Sequence, residues 1–284
     1  MRSSKQSSAS LSTHLLAIIK RRINGSLAIS IKESHNYAVI VAGGKGTRLW
    51  PMSREELPKQ MQKLIGEKSL VEETIDRIAD VVPLTNIVIA TTASYEARLR
   101  ALLPNIPPEN FIIEPISRGT TAAFAYFTEL IYRRDPEAII LSLASDHAID
   151  NVAAFHKAIR DIYAFTDTYS KSINLVGIVP SKADTGLGYI KVDQKVDDDP
   201  TIYSVEKFIE KPSLKVAEKY LESGDYFWNA AYYCYKAKVL IEAYAEADPR
   251  IMSAVRKYLN SNDLKHFEEI PLKIHEIELI NAAK

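Results

Sequence analysis

From residue 37 onward the chain alternates between short apolar runs and longer stretches with helical spacing. The apolar runs are rich in β-branched residues, which indicates strands buried on both faces; they are Tyr37–Ala42, Ile87–Thr91, Phe111–Ile113, Ala138–Leu143 and Ile173–Ile178. The helical stretches between them are Ser69–Ala79, Tyr95–Leu103 and Thr120–Arg134. Ser69, with Glu72 three residues later, is typical of a capping box. The pattern predicts an α/β fold with a mostly parallel, Rossmann-like sheet and helices on both faces.

The later part of the chain has a different pattern. Two strands are predicted at Gly186–Val192 and Ile202–Ile209, separated by a polar turn over Asp197–Pro200. A helix over Ser213–Glu222 is expected to end at Gly224, and a further strand and helices follow, over Ala231–Lys236 and on to about Leu259. This pattern predicts a small antiparallel part joined to the parallel sheet.

Ligands of parallel α/β sheets bind beyond the carboxyl ends of the strands. The loops after Ala42, Ile113 and Leu143 are therefore the places where we expect chemistry.

Composition excludes few functions. The 284 residues are 46% hydrophobic, which suits one large domain, and Lys+Arg and Asp+Glu number 36 each. This balance gives no argument for binding nucleic acid or a membrane surface, and no apolar stretch approaches the ~20 residues of a membrane span. The single cysteine, Cys234, cannot form an internal disulfide and favours a cytoplasmic setting. The sequence leaves a homodimer open.

Residues 1–36 differ from the rest, since they are rich in serine, lysine and arginine and hold only one acidic residue, Glu33. This composition favours a disordered or weakly structured N-terminal extension. An organelle transit peptide is the alternative, because such peptides are basic, Ser-rich and poor in acidic residues.

The segment after the first predicted strand carries the strongest chemical signal. Gly43, Gly44 and Gly46 allow the backbone to approach the oxygens of a polyphosphate closely. Arg48 and Lys59 supply cations for its charge. The spacing excludes a Walker loop, which needs four residues between its glycines, and a dinucleotide fingerprint, which needs a glycine where Leu49 stands.

A second signal is Asp146, in the Ser-Asp-His segment that follows the predicted strand ending at Leu143. A carboxylate at the end of a central strand suits Mg²⁺, which prefers oxygen ligands. A turn or helix-capping aspartate is the alternative interpretation.

The run from Gly43 to Pro51, together with Ser53-Arg54 and Pro58-Lys59-Gln60, resembles the signature of the mannose-1-phosphate guanylyltransferases, a branch of the sugar-1-phosphate nucleotidyltransferases. The resemblance extends through separate motifs to about Lys238. It implies a nucleotidyltransferase sheet with a small antiparallel sugar-binding part. It also implies a nucleotide site formed by Ala42, Gly43, Gly44, Gly46, Thr47, Arg48, Lys59, Arg118 and Thr120. Within that set it assigns catalytic roles to Arg48 and Lys59, and it assigns a catalytic, Mg²⁺-binding role to Asp146.

The resemblance also implies a sugar site and marks departures from the family. The substrate-binding residues it implies are Gly188, Glu210, Lys211 and Asn229. Gly119 stands where the family has asparagine, and Ala231 stands where it has glycine.

These assignments imply transfer of GMP from GTP to mannose 1-phosphate, giving GDP-mannose and pyrophosphate. The alternatives are another base or sugar within the same superfamily, or a non-catalytic nucleotide-binding relative. The family continues into a Ser-Ile-Asp-Tyr segment whose aspartate is a second metal ligand, and we find no such segment. The nucleotidyltransferase domain over 37–284 is therefore expected to lack its usual C-terminal end.

Overall fold

The computed structural model describes residues 34–44, 53–54, 57–64, 66–196, 202–272 and 275. Within these residues one sheet contains eight strands. The strands are β1 (Asn36–Val41), β2 (Ile87–Thr92), β3 (Phe111–Glu114), β4 (Ile139–Ala144), β5 (Ile173–Ile178), β6 (Gly188–Lys195), β7 (Tyr203–Glu210) and β8 (Tyr226–Lys236). The helices are α1 (Leu70–Ala79), α2 (Ala93–Leu102), α3 (Thr120–Arg134), α4 (Val152–Thr168), α5 (Leu214–Ser223), α6 (Ala237–Ala247), α7 (Pro249–Ser261) and α8 (Leu264–Glu268).

The first four strands form the parallel half of the sheet, in the order β3-β2-β1-β4. β2 and β4 are buried except for their last residues, and β1 is buried at its centre and β3 over its first half, as the apolar runs predict. Val41, the last residue of β1, lies opposite both Ala90 of β2 and Ala144 of β4. The loops that leave these strands therefore begin at the same edge of the sheet.

Helices cover both faces of this sheet, which confirms the predicted α/β architecture. Alternate residues of β1 point to opposite sides, so that Ala38 and Ile40 belong to one core and Val39 to the other. The first core takes apolar residues from α1, α2 and α4, and the second takes them from α3, α6, α7 and α8. The sequence patterns above gave no prediction for α4.

The antiparallel half of the sheet is built around β8, the longest strand. β4 and β5 both pair antiparallel with β8, on its opposite edges. β6 pairs with the first residues of β8, and β7 pairs with β6. The run Ile173–Ile178 is thus a strand as predicted, but β5 is not part of the parallel group. β5 runs in the same direction as β4, since both are antiparallel to β8, but it pairs with β8 and not with a strand of that group. An apolar run carries no information on which strand it will pair with, which explains the difference.

Local signals in the sequence fix several helix ends. Ser69 and Glu72 form the predicted capping box at the start of α1. Gly224 ends α5 with a left-handed backbone at φ 73°. α3 spans Thr120–Arg134 as predicted, and Gly119 is its N-cap.

One edge of β8 has a gap that positions the candidate site. β4 pairs with β8 up to Ser142, opposite Tyr233, and β6 pairs with the same edge from Tyr189, opposite Trp228. The residues of β8 between these two partners, numbers 229–232, lack a β4 or β6 partner on that edge. The end of β4 and the start of β6 therefore both face this gap.

Ala231 lies in the gap with a left-handed backbone at φ 55°. For a residue with a Cβ atom this conformation costs about 1–2 kcal/mol relative to ordinary backbone. The glycine that the family resemblance places at this position would adopt it without strain.

We therefore expect Ala231→Gly to stabilise the fold by about 1 kcal/mol, which is about 2 °C in melting temperature for a chain of this size. Ala230→Gly is the matched control, since Ala230 is buried and has no left-handed backbone. The control should lower the melting temperature. Equal effects of the two changes in thermal unfolding would contradict the assignment of strain to Ala231.

Candidate active site

The glycine loop starts directly after β1. The Ala42 amide donates to the Ala90 carbonyl at 2.8 Å, which extends the pairing of β1 and β2 by one residue. Gly43 and Gly44 follow, and a Cβ atom added at Gly44 would have no protein atom within 4 Å. Glycine at position 44 is therefore not required by protein packing, and the space beside its Cα atom is open. The predicted contacts of Gly46, Thr47 and Arg48 lie outside the described residues.

Two buried side chains donate hydrogen bonds to the backbone of this loop. Gln60 Nε2 donates to the carbonyl oxygens of Ala42 and Gly44, at 3.0 and 3.3 Å. Thr91 Oγ1 donates to the same Ala42 carbonyl at 3.0 Å. Both side chains are almost completely buried, at 1% and 3% exposed. The described start of the loop, from Ala42 to Gly44, is therefore held by hydrogen bonds from two different elements.

Lys59 and Asp146, predicted from separate motifs, form an ion pair in the structure. Lys59 lies in a 3₁₀ turn that follows Pro58, and Asp146 follows the end of β4. The two side chains are 25% and 22% exposed, so that a ligand can still reach them. The fold thus brings the second predicted cation and the predicted metal ligand together beside the glycine loop.

A network of buried side chains contacts His147, the residue after Asp146. Arg77 Nη2 on α1 donates to the His147 carbonyl at 2.7 Å, and Arg77 is only 8% exposed. His147 Nδ1 lies 3.1 Å from the Tyr232 hydroxyl, and the two rings stack at 5.2 Å. Burial lowers the pKa of His147. The imidazole is therefore neutral at pH 7, as expected of a residue that orients the loop.

A cavity of about 240 Å³ opens between the ends of β1, β2 and β3 and the first turns of α3. Glu114, the last residue of β3, is half-buried in its wall and accepts a hydrogen bond from the Arg118 amide at 3.2 Å. Burial raises the pKa of the Glu114 carboxyl to about 7, more than the hydrogen bond lowers it. The cavity therefore has an apolar wall and one carboxyl group that titrates near neutral pH.

Gly119 lies at the mouth of this cavity with φ 86° and ψ 177°. Glycine is essentially the only residue that adopts this conformation. The departure from the family's asparagine is thus compatible with the backbone found here.

The C-terminal part of the chain contacts two of the predicted nucleotide-binding residues. The Arg118 guanidinium donates to the Ile270 carbonyl from Nε and Nη2, at 3.3 and 2.8 Å. Thr120 lines the cavity, and its hydroxyl accepts from the His275 amide at 3.2 Å. Arg118 is therefore engaged with the polypeptide, whereas Thr120 reaches both the cavity and the C-terminal segment.

His275 was not identified from the sequence. Its ring is buried, stacks on Phe124 at 3.7 Å and bonds to the Tyr244 hydroxyl. Burial lowers its pKa to about 3. His275 lies in no sequence motif, so its contacts with Thr120 and Phe124 could not be predicted from the sequence.

The predicted sugar-binding residues lie around the gap in β8. Gly188 has no room for a side chain, because a Cβ atom would stand 2.6 Å from the Phe208 ring and 3.0 Å from Glu210 Oε2. Glu210 and Lys211 form an ion pair. The Asn229 amide is held inside the strand, since its oxygen accepts from the Ala231 amide and its nitrogen donates to the Tyr233 hydroxyl. Close packing of β6 on β7 thus explains Gly188, a reason that the motif alone did not reveal.

Asp146 is the residue that the sequence predicts as a metal ligand. No three His, Cys, Asp or Glu side chains come together as a metal-binding group in the parts of the chain that the structure describes. One partly exposed carboxylate fits Mg²⁺, which takes one or two carboxylates and completes its coordination with substrate phosphate and water. Asp146 therefore suits an ion that arrives with a polyphosphate.

None of the helices in the described ranges is both long and apolar enough to cross a membrane.

Comparison with known proteins places this geometry in context. The mannose-1-phosphate guanylyltransferases of Klebsiella pneumoniae and Escherichia coli are each 38% identical to the chain over 231 residues. These alignments cover 79% of the chain and 48% of each relative, so the chain spans about half the length of the curated relatives it matches.

Solved structures share the fold. A structure described as mannose-1-phosphate geranyltransferase from Thermus thermophilus matches with a TM-score of 0.76 at 26% identity, covering 88% of this chain and 72% of that one. Mannose-6-phosphate isomerase from Helicobacter pylori matches with a TM-score of 0.70 at 22% identity, covering 86% of this chain and 92% of that one.

A family model for nucleotidyl transferases matches residues 37–270, from the start of β1 to the segment after α8. Since this match spans most of the chain, the protein belongs to the nucleotidyl transferase family.

Proposed function

We propose that the chain transfers GMP from GTP to mannose 1-phosphate, which releases pyrophosphate and forms GDP-mannose. The observation that carries the proposal is the contact of Lys59 with Asp146 beside the glycine loop. A cation for phosphate and a carboxylate for a metal stand where a triphosphate would lie. The names of the relatives from Klebsiella pneumoniae and Escherichia coli agree with this proposal.

The cavity beside the loop supports guanine as the base. Guanine carries adjacent N–H donors on one edge, and Glu114 offers a carboxyl acceptor in the cavity wall. The apolar wall suits the face of a purine ring. We propose that Glu114 accepts from these donors and that Thr120 lies near the base.

The proposed reaction needs little covalent chemistry from the protein. An oxygen of mannose 1-phosphate attacks the α-phosphorus, the bond from that phosphorus to the bridging oxygen breaks, and pyrophosphate leaves. The amides of the loop and the Lys59 ammonium hold the phosphates of the nucleotide in position. Lys211 holds the phosphate of mannose 1-phosphate, Glu210 accepts from its sugar hydroxyls, and Asn229 contacts the sugar. Arg48 is proposed as a further phosphate contact. When bound at Asp146, Mg²⁺ would offset negative charge on the phosphates.

The direct test is an assay of pyrophosphate release with a panel of nucleoside triphosphates and sugar phosphates. GTP with mannose 1-phosphate should give the highest rate, with GDP-mannose as the product. Turnover with dTTP or CTP and none with GTP would overturn the assignment of the base. GTP binding without any product would indicate a non-catalytic nucleotide-binding protein.

We expect Asp146→Asn to reduce kcat/KM about 100-fold or more, because it removes a charge that acts on the transferring group. Asp150→Asn is the matched control, since Asp150 is an exposed carboxylate in the same loop. Steady-state kinetics at saturating Mg²⁺ measure both variants. Equal rates for the two variants would contradict the role of Asp146.

The same variant should have the opposite effect on GTP binding without metal. Asp146 forms an ion pair with the Lys59 ammonium and adds negative charge beside the loop. In the presence of a chelator, Asp146→Asn should therefore bind GTP about five-fold more tightly than the wild type. Calorimetry measures this affinity, and weaker binding by the variant would show that Asp146 does not compete for Lys59.

Glu114 predicts a dependence of GTP affinity on pH. Guanine donors favour the ionised carboxylate, so GTP should bind more tightly as the pH rises through about 7, the pKa of Glu114. Glu114→Gln removes the titrating group and should flatten this dependence, with about ten-fold weaker binding at pH 8. Because GTP itself titrates in this range, the difference between the two proteins is the quantity to measure. The same slope in both would contradict contact between Glu114 and the base.

The raised pKa of Glu114 also has a consequence for stability. The unfolded carboxyl ionises near pH 4.5 and the folded one near 7. The contribution of this group to the free energy of unfolding is therefore complete below pH 4.5 and is lost as the pH rises to 7. Glu114→Gln should be more stable than the wild type above pH 7. At pH 5 this difference in the free energy of unfolding should be smaller. Thermal unfolding at the two pH values measures this difference.

A further inference from the structure

We infer that Gln60 is a positioning residue that sets the glycine loop in its phosphate-binding conformation and fixes it relative to Lys59. The inference rests on the proposed function, because it concerns how the same loop holds a nucleoside triphosphate. Gln60 does not itself reach the ligand, since its side chain is 1% exposed and lies behind the loop.

The first argument comes from the geometry of the peptide bond. In a planar trans peptide, the carbonyl and the following N–H point in opposite directions. Gln60 and Thr91 both donate to the carbonyl of Ala42, which directs that oxygen toward the protein interior. The amide of Gly43 must then point away from Gln60. The amide side chain thereby selects the peptide orientation that an anion requires.

The second argument is that one side chain spans two carbonyls. Gln60 Nε2 bonds to the oxygens of Ala42 and Gly44, on both sides of Gly43. An amide nitrogen has two hydrogens and can serve both acceptors, whereas a hydroxyl such as that of Thr91 has one. Glycines have wide conformational freedom, so a loop of this composition needs an external constraint to keep one conformation. Gln60 supplies that constraint.

The third argument is the position of Gln60 directly after Lys59. Both residues lie in the 3₁₀ turn Lys59–Met61, in which successive side chains point in different directions. Gln60 points to the loop, while Lys59 reaches Asp146. The turn is itself attached to α1, because the Leu70 amide donates to the Gln62 carbonyl at 3.1 Å. One short turn therefore sets the loop, the Lys59 ammonium and Asp146 relative to each other.

The test compares Gln60→Met with wild type in the full chain. Methionine has nearly the same length and shape but cannot donate a hydrogen bond. We expect the Kd for GTP with Mg²⁺, from calorimetry, to rise at least ten-fold. The KM for mannose 1-phosphate should stay within about two-fold of the wild type. Such a split is not expected from a general loss of packing, which would affect both substrates.

Gln62→Met is the matched control. Gln62 lies two residues away and also donates its side-chain amide to a backbone carbonyl, that of Leu57, at 3.0 Å. Its bond lies outside the glycine loop, so GTP affinity should remain within two-fold of the wild type. Gln60→Met and Gln62→Met with the same GTP affinity would overturn the inference.

Two further variants keep the test decisive. Gln60→Glu should bind GTP more weakly than Gln60→Met, because a carboxylate would face two carbonyl oxygens and add negative charge near the triphosphate. Thr91→Val removes one of the two donors to Ala42 and should weaken GTP binding about three-fold. If neither Gln60 variant folds, unchanged GTP affinity in Thr91→Val overturns the inference and a three-fold loss supports it.

Failure of this inference differs from failure of the proposed function. A wild-type chain that binds no nucleoside triphosphate would contradict the proposed function as well. A wild type that binds GTP, with Gln60→Met equal to it, would contradict only the role of Gln60.

Discussion

The parallel pairing of β1 with both of its neighbours is the constraint on which the candidate site depends. Val41 lies level with Ala90 and Ala144, so three chain segments leave the sheet at one edge. The Ala42 carbonyl is then close enough to β2 to accept a hydrogen bond from the Thr91 hydroxyl. Asp146 is close enough to the 3₁₀ turn Lys59–Met61 to pair with Lys59. A slip of one residue in this register would turn every buried side chain of β1 to the other face. Two separate apolar cores oppose such a slip, because alternate residues of β1 belong to each.

The site combines weak individual contacts into a rigid arrangement. A polyphosphate is bound by several hydrogen bonds and charges, and each acts fully only when its direction is fixed before the ligand arrives. Gln60 and Thr91 fix the loop, and Arg77 fixes the backbone next to Asp146. The charges themselves are left accessible, and without a ligand they neutralise each other. In the proposed function, nucleotide binding would exchange the Lys59–Asp146 pair for contacts with phosphate and metal.

Local sequence signals were sufficient for the parallel strands, the capping box of α1 and the chemical types around the glycine loop. They predicted Lys59 and Asp146 at one site from separate motifs, and the structure pairs the two side chains although 87 residues separate them in the chain. They did not reveal the pairing of β5 with β8, the helix α4, or the contacts of Arg77 and His275, since these depend on distant packing. Gln60 is intermediate, because its motif marked it as a family residue but gave no physical role. Arg118 is predicted at the nucleotide from its motif, whereas its contact with the Ile270 carbonyl, 152 residues away, could not be predicted from the sequence.

The central claim is that a nucleotide bridges the glycine loop, the cavity at Glu114 and the Lys59–Asp146 pair. A crystal structure of the protein with GDP-mannose and Mg²⁺ tests this claim most directly. The account predicts the guanine in the cavity against Glu114, the phosphates beside Gly43 and Gly44, and the sugar at the gap in β8. It also predicts that Lys59 and Asp146 are separated in the complex. A ligand bound elsewhere on the chain, with the Lys59–Asp146 pair intact, would contradict it.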